Sequence, residues 1–541
     1  MESSTEKNEI SRLIDIIENL NSRLSAIESG STKVTAKDSN IDKPEYVKES
    51  SEDFEFRMGE QWFGKIGVVA FTFAFFYLLT LSFNGNTQTT VMLLGFIVSA
   101  IILVISFVYK NQLKTLSGYI TGSGIIILFF SFLKLHYFTN TPIIASSTLM
   151  TFILFGVSIA AAFLSIKKMS PALMMITFLL FGNTALLADE AAVIFITLAL
   201  MSLAVVYLQK KYNWESLVLF AIPLTYVFYF LWSINNPLSG REISIIEVSP
   251  LSIMFVPLYL CIYGFTQIRK EENDIDNYDS VLKSLFNSVM GYLLFIYLTL
   301  NHQMWYSPLL HFGMSLLLLS IAARYWIIEK SKISTFLYSM AGYGALSFAI
   351  ILNFKSPDLY ILLCWQSLLV VSTALWFRSR FIVVANFFIF FILLLTYVIL
   401  WGKYDIESLS FGLVALISAR LINVHQQRLE LQSEQLRNTY LIITVIFIPY
   451  VLYAILPGYI VGISWIVLAF IYYVVGKLIN NKKYRLMASG TLIMSLAYIF
   501  IFGLTSGDAT FKILSFLLVS IALVIISVVY SKVRTREMGK P

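Results

Sequence analysis

Charge is scarce in this chain. Asp, Glu, Lys and Arg make up only 13% of its 541 residues, about half the share usual in soluble proteins. With 58% hydrophobic residues and a mean hydropathy of +0.77, one aqueous core cannot hide so much apolar surface, and the bilayer is implied as its solvent. Cysteine is nearly absent. Cys261 and Cys364 each sit in an apolar run and read as small core residues, which excludes a disulfide framework. The four histidines are dispersed, so their spacing offers no metal cluster. No G-x-S-x-G, H-E-x-x-H, Walker or paired C-x-x-C motif occurs. No cofactor, metal site or catalytic residue is therefore expected. The net charge of +7 is spread in small groups between apolar runs; it forms no single basic patch, and nucleic acid is not an expected partner. The first apolar run begins near Phe63, too late for a cleaved signal peptide, and is expected to act as an uncleaved anchor.

Residues 9–28 carry a heptad seam, with Ile10, Ile17 and Leu24 at a and Leu13, Leu20 and Ile27 at d. Ile at a with Leu at d favours a parallel two-stranded coil. A membrane-surface helix would need a basic polar face, whereas residues 1–28 hold six acidic and three basic side chains. The segment 1–28 is thus expected to be a coiled-coil-like helix serving a second copy or a protein partner, or docking on the chain's own loops. Residues 29–58 form a polar linker and the approach to the membrane, 59–530 a transmembrane helical domain, and 531–541 a basic tail.

From Phe63 to Tyr530 apolar runs alternate with short polar breaks. The runs are 63–83, 89–109, 115–135, 143–166, 170–187, 191–208, 215–233, 249–268, 281–300, 307–327, 333–352, 357–377, 381–400, 408–424, 438–456, 459–479, 486–503 and 511–530. Each suits one bilayer crossing, which predicts an all-α polytopic bundle of about eighteen spans. Counting the ends of the runs, the even-numbered side and the tail hold 25 Lys and Arg; the odd-numbered side holds five, Lys134, Arg241, Lys355, Lys403 and Lys512. The positive-inside rule then places the even breaks and both termini in the cytoplasm.

Ser170-Pro171, Ser249-Pro250, Ser307-Pro308 and Ser356-Pro357 read as helix starts, with Ser as N-cap and Pro at the first helical position. Pro223, Pro257 and Pro449 lie inside runs and are expected to kink their helices. Such kinks either serve packing or line a transport site. Charge is nearly missing from the run interiors: Arg324 and Arg420 lie near cytoplasmic ends and can reach the surface, and Lys134 lies near an outer end. Asn183, Asn287, His311, Gln366 and Asn386 are expected to hydrogen-bond between helices. Asp405-Ile-Glu407 is a weak match to a metal-binding pair and reads as a solvated loop.

The segment Glu55–Gly67 is the most distinctive. Trp62 is expected in the headgroup belt, Glu60 and Lys65 reach the interface, and Gly67, with Gly64, Ala70 and Ala74, makes a face of small residues that another helix can approach. Glu55, Gly59, Trp62 and Gly67, followed by Gly118-Tyr-Ile-Thr-Gly122-Ser-Gly124, resemble the bacterial predicted multi-pass membrane protein family listed as domain of unknown function 2339. A Gly-Gly…Pro feature of that family is reduced here to Phe181-Gly182-Asn183. The resemblance implies a multi-pass protein of the bacterial cytoplasmic membrane, in contact with its lipids, and carries no catalytic residues.

Three functions fit these observations: a membrane scaffold or complex subunit, a transporter or flippase of a hydrophobic or lipid-linked substrate, and, weakest, an enzyme working at the outer loops. Topology is testable directly. Reporter fusions within 234–248 should read as outside and fusions after Pro541 as inside; a C-terminal fusion active only outside contradicts an even number of spans.

Overall fold

A computed structural model of the chain describes residues 64–81, 86–109, 116–139, 142–237, 241–246, 249–264, 278–302, 305–425, 433–502 and 517. The coil at 1–28, the linker and approach residues through Phe63, the eighteenth apolar run apart from Leu517, and the tail lie outside them. Contacts divide the chain into two units, 1–69 and 70–541. Among the described residues all regular structure is helical. The helices are α1 (Gly64–Thr80), α2 (Asn86–Val108), α3 (Ser117–Leu133), α4 (Ser147–Lys167), α5 (Pro171–Ala188), α6 (Ala191–Tyr212), α7 (Glu215–Ser233), α8 (Pro250–Gly264), α9 (Tyr278–Asn301), α10 (Ser307–Ile328), α11 (Lys332–Asn353), α12 (Asp358–Trp376), α13 (Arg380–Trp401), α14 (Leu409–Val424), α15 (Ser433–Ile455), α16 (Gly458–Leu478) and α17 (Lys482–Phe502). Thirteen described helices are long and apolar enough to cross a membrane, and α1, α3 and α8 are shorter apolar helices. This is the pattern of a multi-pass membrane protein.

Hydropathy and burial run in opposite directions, as they must where lipid is the solvent. The 18-residue apolar core of α2 has a mean hydropathy of 3.0 and is 22% buried, whereas that of α7 has 1.7 and is 56% buried. The most apolar helix presents its side chains outward; the central one carries the polar atoms that bond to neighbours. The larger core cluster gathers α5 to α11 around Tyr226, Tyr229, Tyr259 and Phe295, and a second one joins α11 to α17 around Phe390, Phe411 and Tyr440.

The helices pack most closely as sequential pairs: α2–α3, α4–α5, α10–α11, α12–α13, α14–α15 and α16–α17. Every one of these pairs is joined across a Lys/Arg-bearing break. Three of the turns share one solution. Met169, Arg378 and Asn480 take positive φ (51°, 51° and 52°). The next N–H then reaches back five residues, Ser170 to the Ser165 carbonyl, Ser379 to Ala374 and Asn481 to Gly476, at 3.0–3.1 Å. This 6→1 closure satisfies a helix-end carbonyl and reverses the chain in very few residues.

The Ser-Pro starts divide. The Ser170 and Ser249 hydroxyls accept from Leu173 N–H (3.4 Å) and Ser252 N–H (3.3 Å) and cap α5 and α8 as expected. At Ser307 the helix begins one residue earlier, with Tyr306 as N-cap, and at Ser356-Pro357 one residue later, with Pro357 itself as N-cap; neither has a side-chain cap bond. The three internal prolines also differ. α7 and α15 run continuously through Pro223 and Pro449. α8 breaks at Met254, between Pro250–Ile253 and Phe255–Gly264, because the Pro257 ring crowds the carbonyl four residues back, at Ile253.

Glycines sit where helices cross. A Cβ on Gly182 would lie 2.1 Å from the Phe228 ring, one on Gly412 2.2 Å from Ile448 Cγ1, and one on Gly476 3.0 Å from the Arg485 backbone nitrogen. Gly182→Leu should therefore cost about 1–3 kcal/mol of stability through overpacking. Gly313→Leu, where a Cβ meets nothing within 4 Å, should be close to neutral. Thermal unfolding in detergent measures both; equal midpoints would show that α5 and α7 do not cross closely at Gly182.

Candidate functional site

The densest polar arrangement in the described residues is built on α9. Ser280, Lys283, Ser284, Asn287, Ser288 and Gly291 recur at helical spacing and are all buried. Within this stripe α9 widens to a π turn over Phe286–Met290, which alters the register of side chains along the face. Gly291 follows at a crossing, where a Cβ would meet Leu260 Cδ2 at 2.7 Å and the Tyr226 hydroxyl at 2.9 Å.

Asn287 is fully buried and joins four helices. Its Oδ1 accepts from the Tyr226 hydroxyl of α7 (2.6 Å), and its Nδ2 donates to the Leu260 carbonyl of α8 (3.1 Å) and the Tyr338 hydroxyl of α11 (2.7 Å). Tyr338 stacks on Tyr325 with ring centroids 5.3 Å apart, and Tyr325 donates to the Gly264 carbonyl (3.0 Å). Arg324 donates to the same carbonyl (3.2 Å), so it caps α8 with a cation, favourable at a helix C-terminus. Nearer the basic end of α9, Ser284 donates to Ser334 (2.8 Å), and Lys283 pairs with Glu215, which also accepts from Gln209. Tyr263 bonds Ser202 (2.9 Å) and Thr225 (2.8 Å). What this set does chemically is bind helices to one another: its members face other protein groups, and each bond spends a donor or acceptor that a substrate would otherwise use.

His311, Gln366 and Asn386 behave alike. His311 bonds Tyr292 at Nδ1 (3.2 Å) and Thr299 at Nε2 (2.9 Å). Gln366 donates to the Tyr343 carbonyl and the Ser347 hydroxyl, both at 2.9 Å, and Asn386 donates to the Ser367 hydroxyl at 2.9 Å. Asn183 is half-buried. Gln366, Asn386 and Tyr343 also line a groove of about 120 Å³ between α11, α12 and α13. Lys134 is buried beside the end of α3, its ammonium donating to the Leu79 (2.9 Å) and Leu81 (2.6 Å) carbonyls at the end of α1.

The acids in the odd-numbered breaks are partly engaged. Asp405 takes part in a capping box with Ser408, whose hydroxyl accepts from the Asp405 N–H at 3.0 Å. Asp189 holds Arg241 in a two-pronged pair at 2.8 and 2.6 Å, which raises the guanidinium pKa above its ordinary value through the hydrogen bond and the opposite charge. Among the described residues no three His, Cys, Asp or Glu converge. Cys364 is buried and Cys261 half-buried, both as free thiols.

Of the approach segment, Glu55, Gly59, Glu60 and Trp62 lie outside the described residues. Gly67 falls in the first turn of α1; it, Ala70 and Ala74 are exposed, and a Cβ on Gly67 meets no described atom within 4 Å. Pro223 and Pro257 belong to the helices that meet Asn287, and the Pro449 carbonyl accepts from Trp465 Nε1 (3.0 Å). Sequence reasoning singled out Asn287 but missed Tyr226, Tyr338 and the Lys283–Glu215 pair. The signal was the polar stripe at i, i+3, i+4, i+7 within an apolar run.

No family model, no curated protein and no solved structure matches this chain.

Asn287→Leu keeps the branched shape of the side chain, with somewhat greater bulk, but strips three groups of their partner. It should destabilise the protein by about 1–2 kcal/mol, the upper range for polar contacts between membrane helices. A denaturation midpoint equal to the parent's in mixed micelles would show that the contacts carry no net stability.

Proposed function

We propose that this chain is a scaffold or complex subunit of a bacterial cytoplasmic membrane, with about eighteen spans, both termini in the cytoplasm and the coil at 1–28 as its assembly handle. The observation that carries this reading is the use of the polar atoms inside the helices. Asn287, His311, Gln366, Asn386 and Lys134 bond to neighbouring helices, so the polar content of the spans serves cohesion. The alternation of Lys and Arg between breaks supports the orientation. The match of Glu55, Gly59, Trp62 and Gly67 to the approach pattern of the family named above supports the bacterial assignment.

A second reading, transport or flipping of a hydrophobic or lipid-linked substrate, draws on the groove between α11, α12 and α13. Tyr343, Gln366 and Ser367 lie near the middle of their helices beside Leu363, Ile389 and Leu393, which suits a substrate with a small polar head.

Cysteine crosslinking separates the two. Cysteines replacing Leu13 or Leu20 should crosslink between chains, or to a co-purifying protein, in native membranes. Failure at several d positions, together with a loss of phenotype in Gln366→Leu at normal abundance, would reject the scaffold in favour of transport.

A further inference from the structure

Between α2, α3 and α4 runs an apolar groove of about 470 Å³, lined among others by Leu103, Ile125, Phe132, Gly156, Ala160 and Leu164. Gly156 and Ala160 are exposed, so the groove opens sideways from the helices. Followed one turn toward the basic end, each wall turns polar: Leu103 leads to Ser106, Ile125 to Thr121 and Leu164 to Lys168. These three meet. The Lys168 ammonium lies 2.5 Å from the Thr121 hydroxyl and 3.1 Å from that of Ser106, and the two hydroxyls are 2.5 Å apart. The N-terminus of α3 adjoins them, with the Ser106 and Thr121 hydroxyls donating to the Ser117 carbonyl (3.1 and 2.7 Å). Its first N–H groups add positive potential.

The charge of this part of the chain has one sign. Between Glu60 and Asp189 there is no Asp or Glu, while Lys65, Lys110, Lys114, Lys134, Lys167 and Lys168 fall there. A lipid-facing apolar trough with a half-buried ammonium one turn beyond its walls is complementary to one kind of molecule: an acyl chain joined to a phosphate. We propose that the groove holds one chain of an anionic glycerophospholipid from the basic-side leaflet, with the phosphate at the half-buried Lys168, whose ammonium the buried Ser106 and Thr121 hydroxyls hold in place while donating to the Ser117 carbonyl. Basic pockets between membrane helices select anionic headgroups in this way. The site lies apart from the network around Asn287 and does not depend on whether the protein scaffolds or transports.

Native mass spectrometry of the full chain, titrated with phosphatidylglycerol and with phosphatidylcholine of the same acyl chains, tests this. The parent protein should retain phosphatidylglycerol preferentially. Lys168→Gln should weaken its binding about fivefold and weaken phosphatidylcholine less, because the choline cation already offsets the charge of its phosphate. Gly156→Trp fills the groove from a position where a Cβ meets no described atom within 4 Å, and should weaken both lipids. Glycerol 1-phosphate should compete poorly, because it lacks the chain. Equal retention of the two lipids by the parent protein, unchanged binding in a folded Lys168→Gln protein, or glycerol 1-phosphate competing as well as the lipid overturns the proposal. So does crosslinking of Gly156→Cys to a cysteine placed in 511–530 or in a second copy, which would put a protein helix in the groove. If Lys168→Gln fails to fold, the Gly156→Trp protein decides: undiminished lipid retention rejects the site.

Discussion

Bringing two apolar helices together inside hydrocarbon removes no surface from water. The force that collapses a soluble core is therefore absent, and cohesion must come from close contact and from polar groups that find each other. Much of this chain's construction answers that constraint. Glycines are placed where Phe228, Ile448 and the Arg485 backbone come within a Cβ's reach. Tyrosines of α7, α8 and α11 are buried with their hydroxyls directed at amides, hydroxyls and carbonyls. The most apolar helices, α2 and α13, are among the least buried, the reverse of a protein folded in water.

The same constraint explains the pairing of helices. Two sequential helices joined by a turn of a few residues are held together by the connection itself. The turns at Met169, Arg378 and Asn480 accept a left-handed backbone residue in exchange for a closed carbonyl and an immediate reversal. Long connections between pairs would leave more backbone to satisfy at the edge of the hydrocarbon. These three left-handed turns fall in breaks that carry Lys or Arg, although turns as short also join α5 to α6 at Asp189-Glu190 and α15 to α16 at Leu456-Pro457.

Helix positions were legible because a bilayer crossing needs an uninterrupted apolar run, and each run between 63 and 503 is occupied by a helix. Serine caps were legible at Ser170 and Ser249, but the same dipeptide at Ser307 and Ser356 misplaced the helix start by a residue, since local backbone geometry decides which residue turns helical. Two of the three left-handed turns were invisible: Met169 and Arg378, unlike Asn480, are not residues that announce positive φ, and tertiary pairing imposes it. The polar hub was half visible. Asn287 and its stripe stand out against an apolar background, whereas Tyr226 and Tyr338 look like ordinary aromatic residues until the crossing of four helices brings their hydroxyls to one amide.

That amide has a history written into its position along the chain. Synthesis delivers Tyr226 and the Leu260 carbonyl first, then Asn287, and only after two further helices have begun does Tyr338 emerge. Of the groups that Asn287 joins, the Tyr338 hydroxyl is the last in the chain, so the full set of bonds at this amide requires α11 as well as α7 and α8.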